Sequence, residues 1–336
     1  MTVRLPDGIC LFASICNTTP NATPFALWLA RGETQHVVDL SGVLNRPGDS
    51  GLTGLAWHDG TLYAAVQSGT EPRIALLDRS LAPIGALNSP TFTDLHSLLV
   101  ADGALLVAAT GKDTLLRLDL AARTVRLLCQ SSEKIHLNSA CFDGDALLIC
   151  YHRQSAQDRR IAVGGVLDVA TREVLVQGLG LPHSLMPHRG GFLVLDSVGS
   201  RVIRFDRSGV LAERTLTGFL RGAAAAGETL FVASSTLRYV SRSNPGVTPA
   251  RNLWQVMAER VRIYALDAVT LAVQAEFDPV LPGFEIYELL VVAEDSINPP
   301  KDRLLQPDRN AIAQLFYNAA KRAAAEAHAK MSAESG

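Results

Sequence analysis

Pro182 to Asp196 reads PHSLMPHRGGFLVLD, and this stretch contains the unit from which most of the chain is built. A short apolar run follows His183, Gly190-Gly191 makes a turn, and Phe192-Leu193-Val194-Leu195 returns as a strand. Glycine takes φ > 0 without steric cost, so a Gly-bearing turn between two apolar runs signals a hairpin. Working outward, the turn recurs as Trp57-His58-Asp59-Gly60, Ala101-Asp102-Gly103 and Phe142-Asp143-Gly144. A second marker, apolar-Asp, closes a later strand of each unit: Leu77-Asp78, Leu118-Asp119, Leu167-Asp168, Phe205-Asp206 and Leu266-Asp267. These aspartates read as turn caps. A spacing of about 40 residues, with three or four short strands per unit and almost no helix, predicts a β-propeller.

Five units begin near Gly51, Asp94, Ile135, Leu181 and Phe219. A sixth is composite, with Phe284 to Val292 joining the N-terminal Ile9 to Ala30. Pairing the two chain ends removes the open edges that an unclosed sheet would expose. The expected architecture is therefore an all-β, six-bladed β-propeller over residues 1–300. Past it, residues 301–331 form an extension in which Ile312, Leu315, Phe316 and Ala319 fall at helical spacing from Pro307 to Met331. That stripe predicts a C-terminal helix docked either on the propeller or on a second copy of the chain, the second arrangement giving a homo-oligomer. Residues 332–336 read as a disordered tail. Two long insertions are expected, Tyr151 to Arg160 and Ser241 to Glu259, the second with a short helix over Thr248 to Glu259.

Composition narrows the function classes. The 336 residues are 48% apolar and 19% charged, with a formal net charge of −2. No basic field points to nucleic acid or to an anionic membrane surface. The apolar runs are strand-length, which argues against a membrane-spanning helix. The five cysteines form no CxxC pair and mostly lie in apolar strand patterns, where Cys behaves as a small buried hydrophobe. A reduced, cytoplasmic protein is expected.

Chemistry concentrates at the start of each unit. His96, His136 and His183 occur in Asp-Leu-His-Ser-Leu, Ile-His-Leu-Asn-Ser and Pro-His-Ser-Leu, each ahead of an apolar strand. In a propeller these positions face the mouth of the central channel, so distant residues converge. Aligned blades place Thr53, His96, His183 and Arg221 in one ring. His136 and Asn138 straddle the equivalent position in the third blade and share a side of the strand, as do Glu285 and Tyr287 in the last. Three imidazoles predict a divalent metal ion (Zn, Fe, Mn or similar) on His96, His136 and His183, with an open coordination position for catalysis. Arg221 would hold an anionic group, Glu285 would move a proton, and His136, Asn138 and Tyr287 would complete the catalytic set. His58 and His188 read as surface turn residues, His36 and His328 as solvated, and His152 as a candidate for the pocket rim.

From Gly164 to Asp196, and through His136-Leu137-Asn138, Gly218-Phe219-Leu220-Arg221-Gly222 and Glu285-Ile286-Tyr287, the chain resembles a bacterial six-bladed propeller family known only as domain of unknown function 4915. The resemblance implies the fold and carries no activity with it. Ser139 stands where that family commonly has Gly, Glu288 where Asp is usual, and Ser97 where an acid often follows the His. More remotely the layout is similar to the peptidyl-hydroxyglycine lyases, with zinc-binding histidines from separate blades, and to gluconolactonase-like hydrolases. The expected function is a metal-dependent lyase or hydrolase acting on a small polar, anionic substrate. The alternative is a non-catalytic interaction or ligand-binding module.

Overall fold

The computed structural model describes residues 5–18, 22–154, 162–236, 261–281, 283 and 285–307. These form six sheets around one axis. Five blades are consecutive four-stranded antiparallel sheets. They open with the strands Asp49–His58, Leu95–Ala101, Ser139–Asp143, Pro182–His188 and Phe219–Ala226, each innermost in its blade. The sixth blade closes the ring: C-terminal Ile286–Ala293 is innermost and pairs antiparallel with N-terminal Ile9–Ile15. Leu27–Arg31 and Thr34–Val38 follow outward, and Leu304–Leu305 adds a short outer edge strand. The sheet thus runs past residue 300. The helix expected from Pro307 to Met331, the tail at 332–336, and most of both insertions lie outside the described residues.

Apolar alternation explains the packing. Inward residues of neighbouring blades form continuous clusters, such as Ala65, Ile74, Leu105 and Val107 between the first two blades. Leu195, Val202, Leu220 and Val232 do the same between the fourth and fifth. Each turn aspartate caps its turn as expected: Asp78 accepts from the amides of Ser80 and Ala82, and Asp267 from those of Val269 and Thr270.

Hydroxyl bonds staple every inter-blade junction close to the axis. Ser14 donates to the Thr53 carbonyl, Thr53 to that of Leu95, Thr110 to that of Leu137, Ser200 to that of Gly218 and Ser235 to that of Ile286. At the third junction the Leu185 amide donates to Ser139 Oγ. Thr53, expected to face the channel as part of the ligand ring, spends its hydroxyl on this staple.

The innermost strands share one irregularity that makes the site. In five of the six, two successive residues oppose a single residue of the next strand: Thr53-Gly54, His96-Ser97, Ser184-Leu185, Arg221-Gly222 and Tyr287-Glu288. Such a bulge bends the strand and re-aims side chains. Two glycines here answer to close approach. A Cβ on Gly54 would lie 2.4 Å from the His96 carbonyl oxygen, and one on Gly222, at φ +69°, 2.8 Å from the Glu288 carbonyl carbon.

Candidate functional site

The bulges divide the channel into two layers. The first gathers His96, His183, Arg221 and Tyr287 from four blades, joined by His136 and Asn138 from the third and Glu285 ahead of the sixth. All seven are buried.

Arg221 and Glu285 form the charged half. Arg221 Nη1 donates to Glu285 Oε2 at 3.2 Å, and the guanidinium carbon lies 4.8 Å from the Phe219 ring centroid and 5.0 Å from that of Tyr287. Both rings present negative faces to the cation. Glu285 Oε2 also accepts from Asn17 Nδ2 at 3.0 Å and from the Cys16 thiol at 3.6 Å. Asn17 is itself locked, its amide nitrogen 2.7 Å from Gln67 Oε1 and its side-chain oxygen 3.1 Å from Gln67 Nε2. Arg221 Nε is buried and has no hydrogen-bond partner, an arrangement that proteins rarely leave unmatched.

The other half is imidazole and phenol. His96 and His136 meet edge-to-face with centroids 5.1 Å apart, and His136 lies against His152 at 4.2 Å. Tyr287 makes edge contacts with His96 at 5.4 Å and His183 at 5.9 Å. Burial disfavours the charged imidazolium, so His136 and His183 are held well below the ordinary histidine range and His152 is lowered to about 3. Neighbouring positive groups, the other histidines and Arg221, push the same way. His183 Nδ1 sits 2.8 Å from the Leu181 carbonyl, which can only accept, so Nδ1 carries the proton and Nε2 keeps the lone pair. Burial likewise holds Tyr287 as a neutral phenol, whose hydroxyl reaches Asn138 Oδ1 at 3.5 Å. Asn138 Nδ2 donates to the Pro182 carbonyl at 2.8 Å, which fixes that amide's orientation.

Residues 125–296 match the family described as Domain of unknown function (DUF4915). The chain belongs to this family. Its DUF4915 segment covers the third, fourth and fifth blades and the closing strand, and so contributes every member of the axial ring except His96. No curated protein matches the sequence. Among solved structures, a chain of a nidogen/laminin complex is similar at 12% identity and TM-score 0.59, over 84% of this chain and 98% of that one. A protein of unknown function from Bacteroides caccae is similar at 11% identity and TM-score 0.59, over 86% and 100%. A luciferin-regenerating enzyme is similar at 12% identity and TM-score 0.48, over 70% and 78%. At these identities the likeness extends to the fold alone.

Against the sequence expectations, the DUF4915 ring brings together His96, His136, Asn138, His183, Arg221, Glu285 and Tyr287. Among the described residues no group of three or more His, Cys, Asp or Glu side chains is arranged to hold a metal ion. The imidazoles of His96 and His136 meet edge to face, and Nδ1 of His183 is engaged by Leu181 and Ser197, which leaves its lone pair on Nε2. His188 requires a correction: it is buried, with Nε2 2.7 Å from the Ala268 carbonyl. His36 is half-buried rather than solvated, and His328 lies outside the described residues. Sequence reasoning missed Cys16 and Asn17, and understated His152. Cys16 was grouped with the buried strand cysteines, although the Asn that follows it marks the end of its apolar strand. Glu288, treated only as a departure from the family pattern, lies beneath the ring.

Proposed function

We propose that the axial ring is an active site for a small anionic substrate, worked by acid–base chemistry of its own side chains. The carrying observation is Arg221: a buried guanidinium, stacked on two aromatic rings, with one carboxylate partner and an unmatched Nε. A carboxylate or phosphate on the substrate would complete its donor set. Glu285, accepting from Arg221, Asn17 and Cys16, serves as a positioning residue that holds the cation in place. The neutral imidazoles supply the base. His183 offers a lone pair at Nε2, and a proton taken there would generate an imidazolium beside the aromatic edge of Tyr287. Tyr287 and Asn138 offer hydrogen bonds to a developing oxyanion. That set suits a lyase that removes a proton next to the anchored anion, or a hydrolase that activates water.

The test is a ligand screen of small carboxylates and phosphate esters by thermal shift, followed by calorimetry on the wild type and on Arg221→Met. Hits should lose affinity by about 30-fold or more in the variant, because a buried charged partner contributes about 2 kcal/mol or more. Turnover of a hit should fall in His183→Asn with binding kept; binding without turnover in the wild type would leave a ligand-binding module. Equal affinity in Arg221→Met, or one equivalent of tightly held metal that is lost in His96→Ala, would overturn the assignment.

A further inference from the structure

The second residues of three bulges, Ser97, Leu185 and Glu288, open onto a different space. Beneath the ring lies a chamber of about 230 Å³, lined from the innermost strands by Leu55, Ser97, Leu99, Ser184, Met186 and Glu288 among others. Among its described lining residues Glu288 alone is ionisable. Its carboxyl accepts from the Leu289 amide at 3.2 Å, from the Ala223 amide and from the Ser184 hydroxyl. A carboxylate has about four lone-pair sites, so three fixed donors suit the charged form and leave one acceptor site open. No positive group lies in the lining to balance that charge. The surroundings are hydrocarbon, and burial pushes the acid up to about 8.

We propose that this chamber is a second ligand site, independent of the ring, which takes a small alkylammonium ion. The ammonium head would pair with the open site on Glu288 and reach Ser97, and the alkyl body would lie against Leu55, Leu99 and Met186. Size agrees: at about 30 Å³ per water-sized group, the chamber holds roughly seven or eight heavy atoms, enough for a short alkylammonium. A cation supplies what the donors around Glu288 lack, whereas an anion would face an acid with no counter-charge. The titratable groups whose charge this acid feels are the Cys150 thiol and Tyr287 on its own strand. They belong to the ring layer or to the wall behind it.

The experiment is calorimetry of n-butylammonium chloride against the full chain from pH 6 to 8.5. The amine stays protonated throughout, having a pKa near that of lysine, ~10.4. Wild type should show saturable one-to-one binding that tightens about tenfold between pH 6 and pH 7 as Glu288 gives up its proton, then levels off above pH 8. Glu288→Gln should weaken binding at least ~30-fold and abolish the pH dependence. If that variant does not fold, the pH profile of the wild type decides. Absence of saturable binding, affinity flat across the pH range, or affinity equal in Glu288→Gln would overturn the proposal.

Discussion

The two layers of the channel are made by the same bulges and end with opposite chemistry. Of the first residues of the bulges, His96, Arg221 and Tyr287 enter the ring; of the second, Ser97, Leu185 and Glu288 line the chamber. Burial acts on both layers and always against charge. In the ring it lowers His136, His152 and His183, leaving bases; in the chamber it raises Glu288, leaving an acid. The cation of the ring, Arg221, is paired with Glu285, which Asn17 and Cys16 steady. Adjacent positions in one strand, Tyr287 and Glu288, therefore serve two environments.

That contrast breaks most readily at Glu285. Glu285→Ala leaves a buried guanidinium without its counter-charge, and breaking such a pair costs about 3–5 kcal/mol. Urea unfolding should show a loss of that size; a loss under ~1 kcal/mol would mean that Arg221 does not depend on this partner.

A smaller effect should appear in the dependence of stability on pH. The folded-state pKa values of His136, His152 and His183 lie below the unfolded value of ~6.5, so stability present above that pH is lost on acidification. Each contributes a slope of about 1.4 kcal/mol per pH unit. Glu288 works the other way: raised to about 8, it favours the folded state at low pH and loses that contribution as pH climbs through the window from ~4.5 to 8. Between pH 6 and 5 the three histidines outweigh the single opposing contribution of Glu288, so stability falls on acidification. Chemical denaturation at those two pH values should show it. Glu288→Gln should steepen the acid loss and remove the alkaline one.

Much of this molecule is legible in its sequence, for identifiable reasons. Asp-Gly turns and apolar-Asp strand ends repeat with each blade, so the count of six, the composite closure and the turn caps follow from local chemistry. The ring residues are legible because repeats superpose: His96, His183 and Arg221 fall at one position of the unit. The bulges are not legible. A strand pattern assigns alternate residues to opposite faces, which puts Glu288 and Ser97 away from the axis, whereas two residues opposing one bring them to it. His152 escaped because it sits on the second strand of its blade, at Cys150-Tyr151-His152, where alignment of the innermost strands does not look. His188 escaped because a turn position was equated with exposure, though the Ala268 carbonyl of the next blade covers it.

The central claim, a buried ring of neutral imidazoles around one retained cation, is tested most directly by following the histidine ring nitrogens by NMR. Selectively ¹⁵N-labelled protein would be titrated from pH 8 to pH 5, with single His→Asn variants giving the assignments. The ring nitrogens of His136, His152 and His183 should keep neutral-tautomer shifts to pH 5, with the proton of His183 on Nδ1. Titration of any of these three near the ordinary ~6.5 would contradict the account.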